Sequence, residues 1–294
     1  MSGPENINPT NVIYLLMTIG ILLKFSEFNN GKENHGIIAI ADRMVSFGAQ
    51  GIEYPISKID VLSETQPVVV GVGSGYDFFI TEFFDRTRTK IKTSKSKKMN
   101  DLAKEALNSY LEIIQERVET QVLGPFGLKL KDIRSPNFNE NLYRSLYSKS
   151  DDIIGEITRR GLDIIIGGCD DSGSHLWSIS DLTRMNESKI GFSVTGSGSG
   201  SAEWTVIHKN FDQTKGMIHA LVIGLAAKFQ AEESLGVGSK TEVKIIRPKK
   251  AIQLNDDSID KIRELVDEEN KRQKEALEKT INKIIDYGVE KNDE

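Results

Sequence analysis

Apolar and polar positions along the chain fall into runs of strand length and stripes of helical spacing, and the order of the two recurs. A nearly unbroken apolar run, Val12 to Leu23, is followed by the polar stretch Ser26 to His35 and a second apolar run, Gly36 to Ala41. Two β-rich runs around a polar segment containing Asn30-Gly31 predict a hairpin with a long loop. Strand-length runs follow at Lys58 to Leu62 and at Pro67 to Val72, the second leading through Gly71-Val72-Gly73-Ser74-Gly75. Helical spacing then begins, with Phe79, Phe83 and Phe84 on one face and Glu82, Asp85 and Arg86 on the other. A second helix is predicted from Asp101 to Val118 on the stripe Leu102, Ala106, Leu107, Leu111 and Ile114. The Pro-containing segment Gly124 to Asn139 reads as a surface excursion, and a further helix is expected near Leu142 to Arg160.

The pattern then repeats. Leu162 to Gly167, His175 to Ile179 and Lys189 to Val194 have strand character, and the last leads into Thr195-Gly196-Ser197-Gly198-Ser199-Gly200-Ser201. One helix follows with Trp204 and Ile207, and another near Thr214 to Glu233 with Met217, Leu221, Leu225 and Phe229; Glu242 to Ile246 is a last strand. Two halves of strands, Gly-rich turn and helix pair predict an α+β fold, a four-layer αββα sandwich of two facing sheets with helices outside. From Asn255 the composition turns charge-dense, with Ile259, Ile262, Val266, Leu277, Ile281 and Ile284 as an apolar line. This is an appended amphipathic helix over 251–294, either packed on the body or used for association.

Composition narrows the class. The 294 residues carry 38 Lys+Arg against 43 Asp+Glu, a formal net charge of −5, which removes the basic footprint of a nucleic-acid binder. A single cysteine, Cys169, excludes an internal disulfide and a cysteine-rich metal site, which points to a reducing, cytoplasmic setting. Val12 to Leu23 has the length of a signal core, but Met1 to Asn11 carries Glu5 and no Lys or Arg, and no Ala-x-Ala-like cleavage site follows. The run is also shorter than the about 20 apolar residues that span a bilayer, so no membrane association is expected. Two readings stay open: a buried strand, or a removable leader that continues into a strand.

Nucleotide motifs fail on inspection. Gly71-x-Gly73 meets Tyr76 and Gly196-x-Gly198 meets Ser201 where a dinucleotide fingerprint needs Gly or Ala, and neither turn carries the Gly-Lys-Ser/Thr of a phosphate loop. His35, His175, His208 and His219 lack the spacing of a helical zinc pair. No cofactor or metal is expected. Asp170 and Asp171 beside Ser172-Gly173 read as a hairpin turn.

A more specific set is Ala39-Ile40-Ala41-Asp42-Arg43, then Ser46 and Gly48, then Lys58 sixteen positions after Asp42. With Val68-Val69-Val70-Gly71-Val72-Gly73, Leu162 to Asp170, Leu176-Trp177-Ser178-Ile179 and Phe192 to Gly198, the chain resembles the proteasome β-subunit and HslV family of N-terminal-nucleophile hydrolases over roughly residues 17–247. That resemblance implies Thr18 as nucleophile once residues 1–17 are removed as a propeptide, with 18–250 as the catalytic domain. It implies Asp42 and Lys58 as its charged partners, Ser197 and Ser234 as supporting hydroxyls, and Gly73 at the oxyanion. Ser46, Gly48 and Val72 would line the substrate cleft. The implied activity is threonine-type hydrolysis of a peptide or protein substrate through an acyl-enzyme, in protein degradation, by a homo-oligomeric ring or with proteasome-like partner subunits. The alternative is a noncatalytic subunit acting in assembly or partner binding. Against the family pattern, Met17 stands where Gly is usual before the Thr, and the Asp-x-x-Ser-Gly ending becomes Ala231-Glu232-Glu233-Ser234-Leu235-Gly236.

Overall fold

The computed structural model describes residues 15–16, 18–29, 32–47, 50–53, 56–133 and 138–286. The chain divides into two compact units, Met1–Leu254 and Asn255–Glu294.

In the first unit a short β1 (Leu15–Leu16) precedes the long antiparallel pair β2 (Ile19–Asn29) and β3 (Lys32–Asp42), paired from Gly20 with Ala41 to Asn29 with Lys32. The expected long hairpin loop is therefore strand almost to its tip. Ser26 to His35 reads as loop because this end of the hairpin lies beyond the core, where Phe28 is 78% exposed and Glu27 pairs with Arg247 at 3.1 Å. β4 (Met44–Phe47) and β5 (Gln50–Glu53) make a separate two-stranded ribbon that the sequence pattern did not predict. β6 (Ile59–Ser63) and β7 (Val68–Tyr76) are followed by α1 (Asp77–Thr93), α2 (Met99–Val118), the short α3 (Leu130–Ile133) and α4 (Glu140–Glu156).

The second half begins with β8 (Leu162–Asp170), β9 (Gly173–Ser180) and β10 (Thr183–Asn186). Asp170 pairs with Gly173 across the tight turn expected of Asp170 and Asp171. β11 (Phe192–Gly196), α5 (Ser199–His208), α6 (Met217–Ala231), β12 (Thr241–Arg247) and β13 (Lys250–Gln253) complete the unit.

The result is a mixed α/β fold with two antiparallel sheets. One has the order β1-β7-β8-β9-β10 with β6 also paired to β7; the other runs β11-β2-β3-β12-β13. Leu22, Ile37, Ala39 and Ile246 of the second sheet share one core cluster with Val68, Val70, Val72, Ile165 and Leu176 of the first. The alternation in β7 explains its composition. Val68, Val70 and Val72 belong to that cluster, while a Cβ on Gly71 would lie 2.5 Å from Phe84 of α1. Glycine on that face lets α1 approach, and Phe83, Phe84, Tyr110 and Ile113 of α1 and α2 form a second cluster with Val69, Ile164 and Ile166. Each such large side chain contributes about 1.5–3 kcal/mol when fully buried. On the second sheet, a Cβ on Gly224 of α6 would lie 2.7 Å from Ile40 and Leu23. Leu111, placed by its spacing on the buried stripe of α2, is 38% exposed.

The second unit holds α7 (Asp256–Asp286), 31 residues and about 46 Å long. Leu277, Ile281 and Ile284 of its apolar line are exposed. β13 pairs with β12, so the strand after residue 250 belongs to the first unit.

Candidate active site

Register places the predicted residues. Gly20 pairs with Ala41, so Thr18 and Asp42 meet at the same end of the β2–β3 pair, and Thr241 of β12 lies opposite Asp42 on the other side. Lys58 immediately precedes β6, whose Ile59 pairs with Val72 of the other sheet. Thr18 and Asp42 thus come from one sheet and Lys58 from the edge of the other.

Their side chains converge. Thr18 Oγ1 donates to Asp42 Oδ1, and Lys58 Nζ donates to both Thr18 Oγ1 and Asp42 Oδ1 at 2.9 Å. Thr18 and Asp42 are fully buried, and the Lys58 side chain is only 6% exposed. A buried carboxylate is tolerated only when its lone pairs are occupied. Oδ1 also accepts from Ile19 N–H at 3.2 Å, while Oδ2 accepts from Met44 N–H at 3.3 Å and Gly238 N–H at 2.9 Å. Burial pushes the Lys58 ammonium below its ordinary 10.5, against the charge and hydrogen bond of Asp42, which act upward.

The backbone of Thr18 is held as well. Ser197 Oγ donates to the Thr18 carbonyl at 3.4 Å. Gly196, paired with Ile19, has φ +107°, and a Cβ there would lie 2.0 Å from that carbonyl oxygen. Only glycine combines that conformation with that approach.

Other expected residues lie elsewhere. Ser234 Oγ meets Ser201 Oγ at 3.4 Å, and Glu232 pairs with Lys228. Gly73 lies next to Val72 near Lys58, but a Cβ on it would come within 2.9 Å of Ile164 and Ile80, so packing accounts for the glycine. Val72 is fully buried in the core cluster between the sheets, and Ile59, next to Lys58, pairs with it. Ser46 is in β4 opposite Gly51, and Gly48 and Met17 lie outside the described residues.

Sequence reasoning missed Glu242. Its Oε2 accepts from Lys58 N–H at 3.0 Å and its Oε1 from Ser57 Oγ at 2.6 Å, with Lys244 Nζ at 3.0 Å. In the sequence it is one of several polar residues of β12, Thr241-Glu242-Val243-Lys244-Ile245-Ile246-Arg247, and only the structure shows it 3% exposed. Gly238 left no signal, because its contribution is a backbone N–H.

Chemically, the arrangement holds one hydroxyl between an acceptor for its proton and a cation for the resulting oxygen charge. Among the described residues no group of three or more His, Cys, Asp or Glu is placed to hold a metal, and no helix is long and apolar enough to cross a membrane.

No family model and no curated protein matches the chain. The fold is shared with a solved structure, an Anbu (Gly-1) mutant from Hyphomicrobium sp. strain MC1, at a TM-score of 0.61 and 13% identity, covering 89% of this chain and 97% of that one. These findings correct the expected membership of the proteasome β-subunit and HslV family: what is shared is a fold, with Anbu. The physical reason is that alternation and spacing along strands report the backbone architecture, which unrelated side chains at 13% identity also satisfy.

Proposed function

We propose that the chain is a threonine-type amide hydrolase on a four-layer αββα scaffold of the N-terminal-nucleophile kind, with Thr18 as nucleophile after cleavage of the Met17–Thr18 bond. The observation that carries this reading is the placement of Thr18 Oγ1 within hydrogen-bond reach of both Lys58 Nζ and the Asp42 carboxylate in a water-poor site.

In the first step Thr18 Oγ1 attacks the carbonyl carbon of residue 17 as its proton leaves toward Asp42. The C–N bond breaks, the Thr18 nitrogen takes a proton, and an ester links residue 17 to Thr18. Water hydrolyses that ester and releases residues 1–17. The freed α-amine, with a reference pKa of about 7.7–8.0, then serves as base for attack on an external amide. Lys58 lowers the energy of the developing alkoxide through its charge, and Asp42 keeps Lys58 oriented. An acyl-enzyme on Thr18 forms as the amine product leaves, and water resolves it. Peptide or protein substrates and a homo-oligomeric assembly belong to the same proposal.

The competing reading is a noncatalytic subunit acting in assembly or partner binding, favoured by the complete enclosure of Thr18. Intact-mass measurement separates the two. Loss of residues 1–17, with hydrolysis of fluorogenic peptides that Thr18→Ala abolishes, is the expected result. A full-length mass without hydrolysis, or activity surviving Thr18→Ala, overturns the assignment.

A further inference from the structure

Lys228 lies on α6, its side chain has no exposure, and the sequence pattern around it is apolar: Leu225, Ala226 and Ala227 precede it and Ala231 follows. Its ammonium donates to Glu232, to the Gly238 carbonyl at 2.8 Å and to the Ser239 carbonyl at 3.0 Å. Gly238 in turn donates its N–H to Asp42 Oδ2 at 2.9 Å. Both polar groups of this one residue are thus committed, the carbonyl to Lys228 and the N–H to the carboxylate that holds Thr18 and Lys58.

We propose that Lys228 is a positioning residue for the Thr18 centre: it fixes the 238–239 backbone so that the Gly238 N–H holds Asp42 in contact with Thr18 and Lys58. The role rests on the Thr18 reading for its catalytic meaning, but the coupling itself does not depend on cleavage. A buried ammonium is costly unless fully paired, and an apolar residue would pack this helix face more cheaply. The charge at this position therefore serves the geometry of the strap. Without it the strap relaxes, Asp42 loses one of the two N–H groups on Oδ2, and its hold on Lys58 weakens. Lys58 keeps its burial but loses part of the influence that keeps it protonated.

The test compares full-length wild type with Lys228→Met and Lys228→Gln in a Thr18→Ala background, where no variant can process. Titration of Lys58 by 15N NMR at Nζ, with the signal assigned from Lys58→Arg, should show its midpoint lowered by about one pH unit in Lys228→Met. Amide exchange over 236–241 should accelerate at least about tenfold while exchange in β2 and β8 is unchanged. Lys228→Gln retains N–H donors for the two carbonyls and should recover part of both effects. If Lys228→Met does not fold, Lys228→Gln carries the test alone, with a smaller fall expected at Lys58. An unchanged Lys58 midpoint in the folded variant overturns the proposal, as does acceleration spread evenly over the core, which would mark a purely structural lysine. If wild type with Thr18 intact proves inactive while these shifts occur, the hydrolase reading fails and the positioning role stands.

Discussion

Asp42 and Lys58 form one ion pair, but the structure makes their removal unequal. Consider Asp42→Ala and Lys58→Met in a Thr18→Ala background, so that all chains stay uncut. Asp42→Ala leaves the Lys58 ammonium, 6% exposed, with no counter-charge at its tip, and strips the N–H groups of Ile19, Met44 and Gly238 of their acceptor. Breaking a buried pair by removing one partner costs about 3–5 kcal/mol. Each orphaned N–H adds up to about 1–3 kcal/mol where water does not enter. A loss of at least about 4 kcal/mol is expected. Lys58→Met leaves the carboxylate with those three N–H donors, removes a costly buried cation and keeps an apolar stem of similar reach. The net loss should be about 1 kcal/mol, since a charged hydrogen bond of about 1.5–3 kcal/mol is offset by the relieved desolvation. Urea unfolding followed by tryptophan fluorescence reads the difference. At a slope of about 2–3 kcal/mol per molar urea, the two midpoints should differ by about 1 M or more. Equal losses for the two variants, or a loss below about 1 kcal/mol for Asp42→Ala, would refute the argument that Asp42 is the structural hub of the site.

Three further outcomes are expected. Gly196→Ala forces a Cβ to within 2.0 Å of the Thr18 carbonyl at φ +107°, so it should cost at least about 2 kcal/mol and slow release of residues 1–17 at least tenfold, read by thermal unfolding and intact mass. Cys169 is fully buried and its thiol is pushed up to about 11 by burial, so at pH 8 about a thousandth is thiolate; native protein should resist alkylation that guanidinium permits, and rapid native labelling would contradict the packing. The Lys58 pKa is depressed in the folded state, so the cost of its burial is present at neutral pH and is relieved as pH rises from its folded pKa toward the ordinary 10.5. The stability of the Thr18→Ala protein relative to its Lys58→Met derivative should therefore improve over that interval, and a constant difference in paired urea titrations would contradict the shift.

Where side-chain burial follows the period of the backbone, the sequence was legible. The strands from Ile19, Val68 and Leu162 and the helices bearing Phe83 and Leu102 announce themselves because one face or both must be apolar. The meeting of Thr18, Asp42 and Lys58 was legible only as spacing, through a resemblance whose family assignment the comparisons corrected. Polar strand ends such as Ser26 to Asn29 looked like loop, since hydropathy reports water contact rather than hydrogen bonding. The inward burial of Val72 is not legible in its run, because neither face of a doubly covered strand is marked by polarity. Gly238 and the carbonyls held by Lys228 act through backbone atoms, which every residue type carries, so no pattern of side chains discloses them.

The distribution of charge inside the first unit bears on the proposal that the Thr18 end carries chemistry, and supports it. The cluster between the sheets is built from Ile, Leu, Val and Ala with Cys169 as its sulfur. At one end this gives way to Asp42, Lys58, Glu242 and Lys228, all buried or nearly so and joined through the Gly238 strap and the Lys58 backbone. Well-packed apolar residues at such positions are often as stabilising as an ion pair or more so. A fold under selection for stability alone therefore has no need of four charges there. Their hydrogen bonds converge: Lys228 donates to the Gly238 carbonyl, the Gly238 N–H donates to Asp42, the Lys58 N–H donates to Glu242, and one hydroxyl donates to Asp42 while accepting from the Lys58 ammonium. Such convergence fixes the position of Thr18 Oγ1 from two sheets and a helix. A nucleophile requires that constraint, and a plain strand threonine does not.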